Sequence, residues 1–202
     1  MDGYQLRTEK KKEQIIRASS ELFSTYGVEK VSINEIAKKA RVSPVTIYNY
    51  FGNKEVLIRS VMVNLMNKTM ETYEKILEEN LPFPNKMEKI IFDHPNTVKE
   101  LNFDFIRANV NDSAFRAFIE DFYREKTIPF FRKMIDLGKK EGYIDPSISM
   151  EAILFYIQIF KEALAQPELF SYTNQGILQE INRLFYYGLM GKSQRSETKH
   201  DE

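Results

Sequence analysis

The chain has no cysteine, no tryptophan and only two histidines in 202 residues. Without cysteine there are no disulfide staples, no thiol nucleophile and no thiolate zinc site. His94, next to Pro95, and His200, in a polar tail, assemble neither a metal cluster nor a histidine relay. No glycine-rich phosphate loop is present. Carboxylates such as Asp104, Glu120, Asp121 and Glu125 fall on solvated helix faces. The expectation is a protein that is not an enzyme and needs no cofactor or metal. No signal-peptide pattern opens the chain, and no run approaches the roughly 18 apolar residues a membrane-spanning helix requires. The strongest apolar stretch, Ile153 to Phe160, is short and interrupted by Gln158, and reads as a core segment. A cytoplasmic location without membrane association is expected.

The formal net charge is zero, which argues against a generic polyanion binder, but the charge is unevenly placed. Residues 1–60 hold eleven Lys/Arg against seven Asp/Glu, leaving eighteen against twenty-two for the remainder. The N-terminal part is therefore basic, the sign that counterion release at nucleic-acid phosphates requires.

Within that basic part, Ser32 to Glu55 reads SINEIAKKARVSPVTIYNYFGNKE, two short helical patterns joined by a turn and followed by a third. Ser32 with Glu35 three residues on is a capping box, and Ile33, Ile36, Ala37 and Ala40 share one face of the helix it opens. Ala40, Arg41 and Val42 make the connection. Ser43 caps the second helix and Pro44 suits its first position, where no N–H is needed. That helix, Pro44 to Tyr50, is too short to be stable alone and must be anchored, with Val42, Ile47 and Phe51 as the anchors. Its remaining surface is small, neutral and rich in hydrogen-bonding groups, as a helix entering a major groove requires. Val45, Thr46 and Asn49 are expected to face base edges, and Ser43, Tyr48 and Tyr50 to reach phosphates. Asn53 caps the next helix, where Lys54, the dipole and free N–H groups form an anion site.

The string Ser43 to Glu55, followed by Leu57, resembles the recognition-helix signature of the TetR/AcrR family of bacterial transcriptional regulators. Ile15, Ala18, Leu22, Phe23, Tyr26-Gly27, Val31-Ser32-Ile33 and Ile36-Ala37 match the corresponding positions upstream. The resemblance covers the first quarter to third of the chain. It implies DNA-contacting residues at Ser32, Ser43, Pro44, Val45, Thr46, Tyr48, Asn49, Tyr50 and Lys54, and a dimer formed through the last two helices.

A first helix is expected from near Thr8 to Tyr26, with Gly27 ending it and Ile15, Ala18, Leu22, Phe23 and Tyr26 facing the two helices behind it. A long helix should run from Lys54 to about Asn80, ended by Pro82 and Pro84. Beyond it every segment has helical period and none alternates as a strand would: Lys86 to Asp93, Asn96 to Val110, Asp112 to Gly142 with a distortion at Pro129, a segment from Ser149, and Gln175 to Met190. The fold class is all-α, about nine helices in all. It comprises an N-terminal three-helix helix-turn-helix domain (1–53), a larger helical effector-binding and dimerisation domain (54–191) and a disordered tail (192–202).

Aromatic side chains gather in the second part, where most serve as core. Together they allow a pocket between helices, with Phe103, Phe118, Phe122 and Phe155 as lining and Asn109 and Gln158 as orienting groups. The last two helices have apolar residues on more than one face, so each needs two partners. Ile153, Tyr156, Ile157, Phe160, Leu164, Ile181, Leu184, Phe185 and Gly188 are the expected interface of an isologous homodimer. Two heads about 34 Å apart would read a pseudo-palindromic duplex operator. The expected function is a dimeric repressor released from DNA by an unidentified small apolar or aromatic ligand. The alternatives are a helical protein-interaction adaptor, which leaves the Ser43 to Glu55 string unexplained, and an activator or ligand-independent regulator.

Overall fold

A computed structural model of the chain describes residues 3–91, 113–164 and 175–190. The fold is all-α, in chain order α1 (Gly3–Tyr26), α2 (Ile33–Lys39), α3 (Pro44–Phe51), α4 (Lys54–Glu78), α5 (Phe83–Ile91), α6 (Ser113–Phe122), a π turn (Tyr123–Thr127), α7 (Ile128–Lys140), α8 (Met150–Leu164) and α9 (Gln175–Leu189). The expected helix over Asn96–Val110 and the tail 192–202 lie outside the described residues. α1 begins five residues before Thr8, and its Tyr26 is 60% exposed, so Tyr26 is not part of the inward stripe.

The chain divides into two compact units, residues 1–72 with 95–121, and residues 73–94 with 122–202. The division falls inside α4 and not at residue 54. The reason is packing: Leu57, Ile58, Val61 and Met62 of α4 belong to the same core as Ile15, Ala18 and Phe23 of α1, Ile36, Ala37 and Ala40 near α2, and Ile47 and Phe51 of α3. Phe115 of α6 completes that core. Burying Ile47 and Phe51 supplies roughly 1.5–3 kcal/mol each, which holds a helix of about two turns that would not persist in isolation.

α6 runs along the chain into the π turn and then α7, and the turn lies just ahead of Pro129. Proline lacks an N–H and its ring crowds the carbonyl four residues back, so widening the backbone there, with the Ile128 N–H reaching the Tyr123 carbonyl, lets the helix pass the obstruction. The distortion expected at Pro129 is thus one turn of π-helix preceding it. α5 starts at Phe83, earlier than Lys86, because the Glu141 carboxylate accepts from the Phe83 N–H at 3.0 Å. Lys86 is buried and donates through Nζ to the Leu77 carbonyl at 2.6 Å, satisfying an orphan group at the end of α4. Gly138 sits inside α7 where a Cβ would come within 2.7 Å of Phe83 Cζ and Ile144 Cδ1, so glycine there permits close approach.

Candidate nucleic-acid interface

Local hydrogen bonds set the frame of α2 and α3. Ser32 Oγ accepts from the Glu35 N–H at 3.3 Å, while the Ser32 N–H and Oγ both donate to Glu35 Oε2, at 2.8 and 2.7 Å. Those two bonds from Ser32 hold the Glu35 carboxyl below its ordinary range. α2 closes with the Val42 N–H on the Ala37 carbonyl (3.0 Å) and the Arg41 N–H on the Lys38 carbonyl (3.3 Å), a Schellman arrangement that puts Arg41 at φ 51°. Gln14 of α1 donates from Nε2 to the Ala40 carbonyl at 2.8 Å and ties this turn to the first helix. Lys39 pairs with Glu21 at 2.9 Å, which lowers the Glu21 carboxyl and joins α2 to α1 a second time.

α3 then begins at Ser43, whose Oγ accepts from the Thr46 N–H at 3.1 Å and lies 2.8 Å from Thr46 Oγ1. Ile47 and Phe51 point inward and are buried. Val45, Tyr48 and Asn49, at i, i+3 and i+4, form one exposed face, with Val45 64% and Tyr48 50% accessible. Pro44 and Thr46 are half-buried, and the Thr46 hydroxyl is engaged in the cap. Tyr50 is half-buried against the core. The outward face therefore groups Tyr48 with Val45 and Asn49, where spacing alone had set Thr46 in that place. Asn53 Oδ1 accepts from the Val56 N–H at 2.8 Å and caps α4. Lys54 is half-buried and donates from Nζ to the Val28 carbonyl at 2.8 Å, which leaves two of its three N–H donors for an anion.

The second unit sorts the remaining candidate residues differently from the sequence reading. Phe103 and Asn109, and the side chain of Leu164, lie outside the described residues. Phe118 belongs to the first unit and is half-buried, whereas Phe122, buried, and Phe155 and Gln158 belong to the second. Phe155 is 66% exposed and so lines no interior pocket. Gln158 donates through Nε2 to the Glu162 carboxylate, and its buried Oε1 has no hydrogen-bond partner among the described residues. Burial pushes the Tyr123 phenol up, and the Glu162 charge adds to it.

Ile153 and Ile157, expected at a dimer interface, are buried inside the protomer and cannot reach a second copy. Their helix turns Phe155 and Ile159 outward in their place, with Tyr156 at the margin. Tyr156 stacks on Phe185 (centroids 5.7 Å apart), and Phe160 packs on Phe185 at 4.6 Å. Gly188 makes room for a side chain of its own protomer, since a Cβ there would lie 2.7 Å from the Tyr156 hydroxyl. Leu184 is 69% exposed and Ile181 half-buried.

Spacing gave no sign of the Gln14 clamp or of the Lys54 bond to Val28, because each joins positions 26 residues apart. Among the described residues no three His, Cys, Asp or Glu side chains gather as a metal site, and no helix is long and apolar enough to cross a membrane.

Two short helices at a fixed turn, the second capped, anchored by two side chains and exposing a polar face, define a helix-turn-helix DNA-binding protein. Residues 15–61 match the profile of the bacterial regulatory proteins of the tetR family. The chain is 26% identical over 181 residues to the HTH-type transcriptional regulator YhgD of Bacillus subtilis, covering 84% of this chain and 93% of that one. Its fold is similar to a transcriptional regulator from Cytophaga hutchinsonii (TM-score 0.69, 18% identity, 86% of this chain and 92% of the other). It is also similar to the regulator FadR of Bacillus subtilis in complex with stearoyl-CoA (TM-score 0.60, 20% identity, 89% and 98%). Residues 15–61 thus carry the DNA-binding domain of the TetR family of bacterial transcriptional regulators, and most of the chain is similar to an HTH-type transcriptional regulator.

Proposed function

We propose that the protein is a homodimeric repressor that leaves its operator when a small apolar ligand binds. The observation that carries the DNA-binding part is the exposed face of α3. A valine, a phenol and an amide sit outward on a helix whose caps and anchors are all satisfied, so this polar surface has no internal use. Asn49 is placed to make paired hydrogen bonds to a base edge and Val45 to touch a thymine methyl. Tyr48 extends the same face, and Ser43, Pro44, Thr46 and Tyr50 hold the helix end in position. Ser32 and Lys54 stand at the starts of the flanking helices α2 and α4, and Lys54 has N–H donors left for a phosphate.

Dimerisation is supported by the apolar stripe that α8 and α9 leave uncovered: Phe155 and Ile159 on one, Ile177, Leu184 and Tyr187 on the other. An isologous pairing would bury that stripe and set two α3 helices against one duplex. Ligand control is supported by the aromatic side chains of the second unit, by the unpartnered Gln158 Oε1, and by the fold shared with a regulator that holds a long acyl thioester. The coupling element in this reading is α4, an unbroken helix of about 37 Å that carries Lys54 at one end and enters the second unit at Tyr73. A ligand can shift operator affinity only through a difference in its affinity for the two states.

The test is a gel-shift titration on duplexes selected by the protein from a random pool, with and without long-chain acyl-CoA. Release of DNA at ligand saturation supports the repressor reading. Binding of the ligand with unchanged DNA affinity contradicts it.

A further inference from the structure

Among the described residues, four have positive φ, and each ends a helix: Gly27 (81°), Gly52 (77°), Gly142 (78°) and Arg41 (51°). Glycine is the residue that takes this conformation without a Cβ clash, so three of the four follow the rule and Arg41 breaks it. The molecule also contains its own control. α7 ends in the same Schellman pattern as α2, with the Tyr143 N–H on the Gly138 carbonyl (2.9 Å) and the Gly142 N–H on the Lys139 carbonyl (3.1 Å). There the left-handed position is glycine; at the end of α2 it is arginine.

Among the described residues nothing compensates the arginine. Its side chain is exposed and makes no hydrogen bond or ion pair among the described residues. The hydrogen bonds that close α2 use only its backbone, which glycine would supply equally well. What glycine would not supply is a guanidinium two residues before Ser43, within about 7 Å of backbone from the cap of α3. α3 itself carries no basic residue, Lys39 is paired with Glu21, and the Lys54 ammonium already spends one donor on Val28. A helix lying in a major groove has phosphates on both flanks, and the flank before α3 needs a cation that α3 lacks.

We propose that Arg41 is a phosphate-clamping residue: its guanidinium grips the DNA backbone beside the N-terminus of α3, and the left-handed strain at its Cα is tolerated for that contact. The inference rests on the DNA-binding reading of α3. A planar fork of N–H donors suits a phosphate better than an ammonium does, and a contact of this kind adds affinity without base preference.

The test compares wild type with Arg41→Gly and Arg41→Lys by fluorescence anisotropy across a salt series. The probes are a duplex selected by wild type from a random pool and an unrelated 30-base-pair duplex. For Arg41→Gly, the salt slope of log K should fall by about 0.9 per arginine removed on both duplexes, with unchanged base preference, while the melting temperature rises by about 1–4 °C. Arg41→Lys should keep the slope. A wild-type slope in Arg41→Gly overturns the proposal, as does an altered preference at one base pair with the slope intact. If wild type selects no duplex at all, the DNA-binding reading fails first, and that outcome is distinct from a normal wild type with an indifferent Arg41→Gly.

Discussion

The ammonium of Lys54, in the first turn of α4, donates to the Val28 carbonyl in the segment joining α1 to α2, 2.8 Å away. One side chain thus secures the loop behind the reading helix and stands at the dipole end of the helix that follows it. Both roles are separable by experiment. Lys54→Met is expected to lower stability by about 1–2 kcal/mol, from the loss of a half-buried charged hydrogen bond, measured by denaturant titration. In the same variant the salt slope of DNA binding should fall by about one unit per protomer with base preference intact. A stability loss with an unchanged slope would make Lys54 a structural clamp alone.

Gly138 makes a prediction that helix propensity alone would reverse. Alanine is the better helix former by about 1 kcal/mol. Its Cβ would meet two fully buried side chains, Phe83 and Ile144, at 2.7 Å, and overpacking of this kind costs about 1–3 kcal/mol. Gly138→Ala should therefore lower the melting temperature. A rise would show that Phe83 and Ile144 yield freely.

The capping box has a pH signature. The Ser32 hydrogen bonds keep the Glu35 carboxyl below its ordinary value of 4.5 in the folded chain. Because the folded value is the lower one, the unfolded chain takes up the proton first. Glu35's contribution to stability is therefore complete above about pH 4.5 and is lost as pH falls through the lower folded value. The difference in melting temperature between wild type and Glu35→Ala should be steady from pH 7 to 5 and shrink below that. A difference that persists undiminished at pH 3 would mean the ionised carboxylate is not what Ser32 holds.

Much of the first unit was legible from residue order because its determinants are local. Ser32 with Glu35, Ser43 with Thr46, and Asn53 with Val56 each act within three residues, and each forms the capping bond its spacing implies. Contacts that span the chain left no such trace. Gln14 on Ala40 and Lys54 on Val28 depend on how the helices fold back on each other. In α8 the difficulty is of another kind: with apolar residues all round, the pattern does not tell which face turns inward. The inward face took Ile153 and Ile157, and Phe155 was left outside. At Gly188 the room expected for a neighbouring copy is filled by the protomer's own Tyr156. Arg41 is legible only from the backbone, since an arginine gives no hint of a left-handed cap.

The uncovered stripe of α8 and α9 predicts how the proposed dimer responds to a charge. Leu184→Asp places a charge on a 69% exposed side chain, so the protomer should fold with unchanged helicity. In sedimentation velocity wild type is expected to run as a dimer and Leu184→Asp as a monomer, and the variant should lose about a hundredfold or more in operator affinity once the second head is no longer tethered. A dimeric Leu184→Asp would move the interface elsewhere.

The most direct measurement of the central claim, that the outward face of α3 reads duplex DNA in symmetric pairs, is selection from a random pool by wild type and by Asn49→Ala, followed by sequencing. The account predicts an inverted repeat for wild type, with half-sites separated by about one helical turn or a multiple of it. It predicts that Asn49→Ala loses about 1–3 kcal/mol of discrimination at one symmetric pair of positions. Recovery of the same motif at the same strength by Asn49→Ala, or of no repeat by wild type, would contradict it.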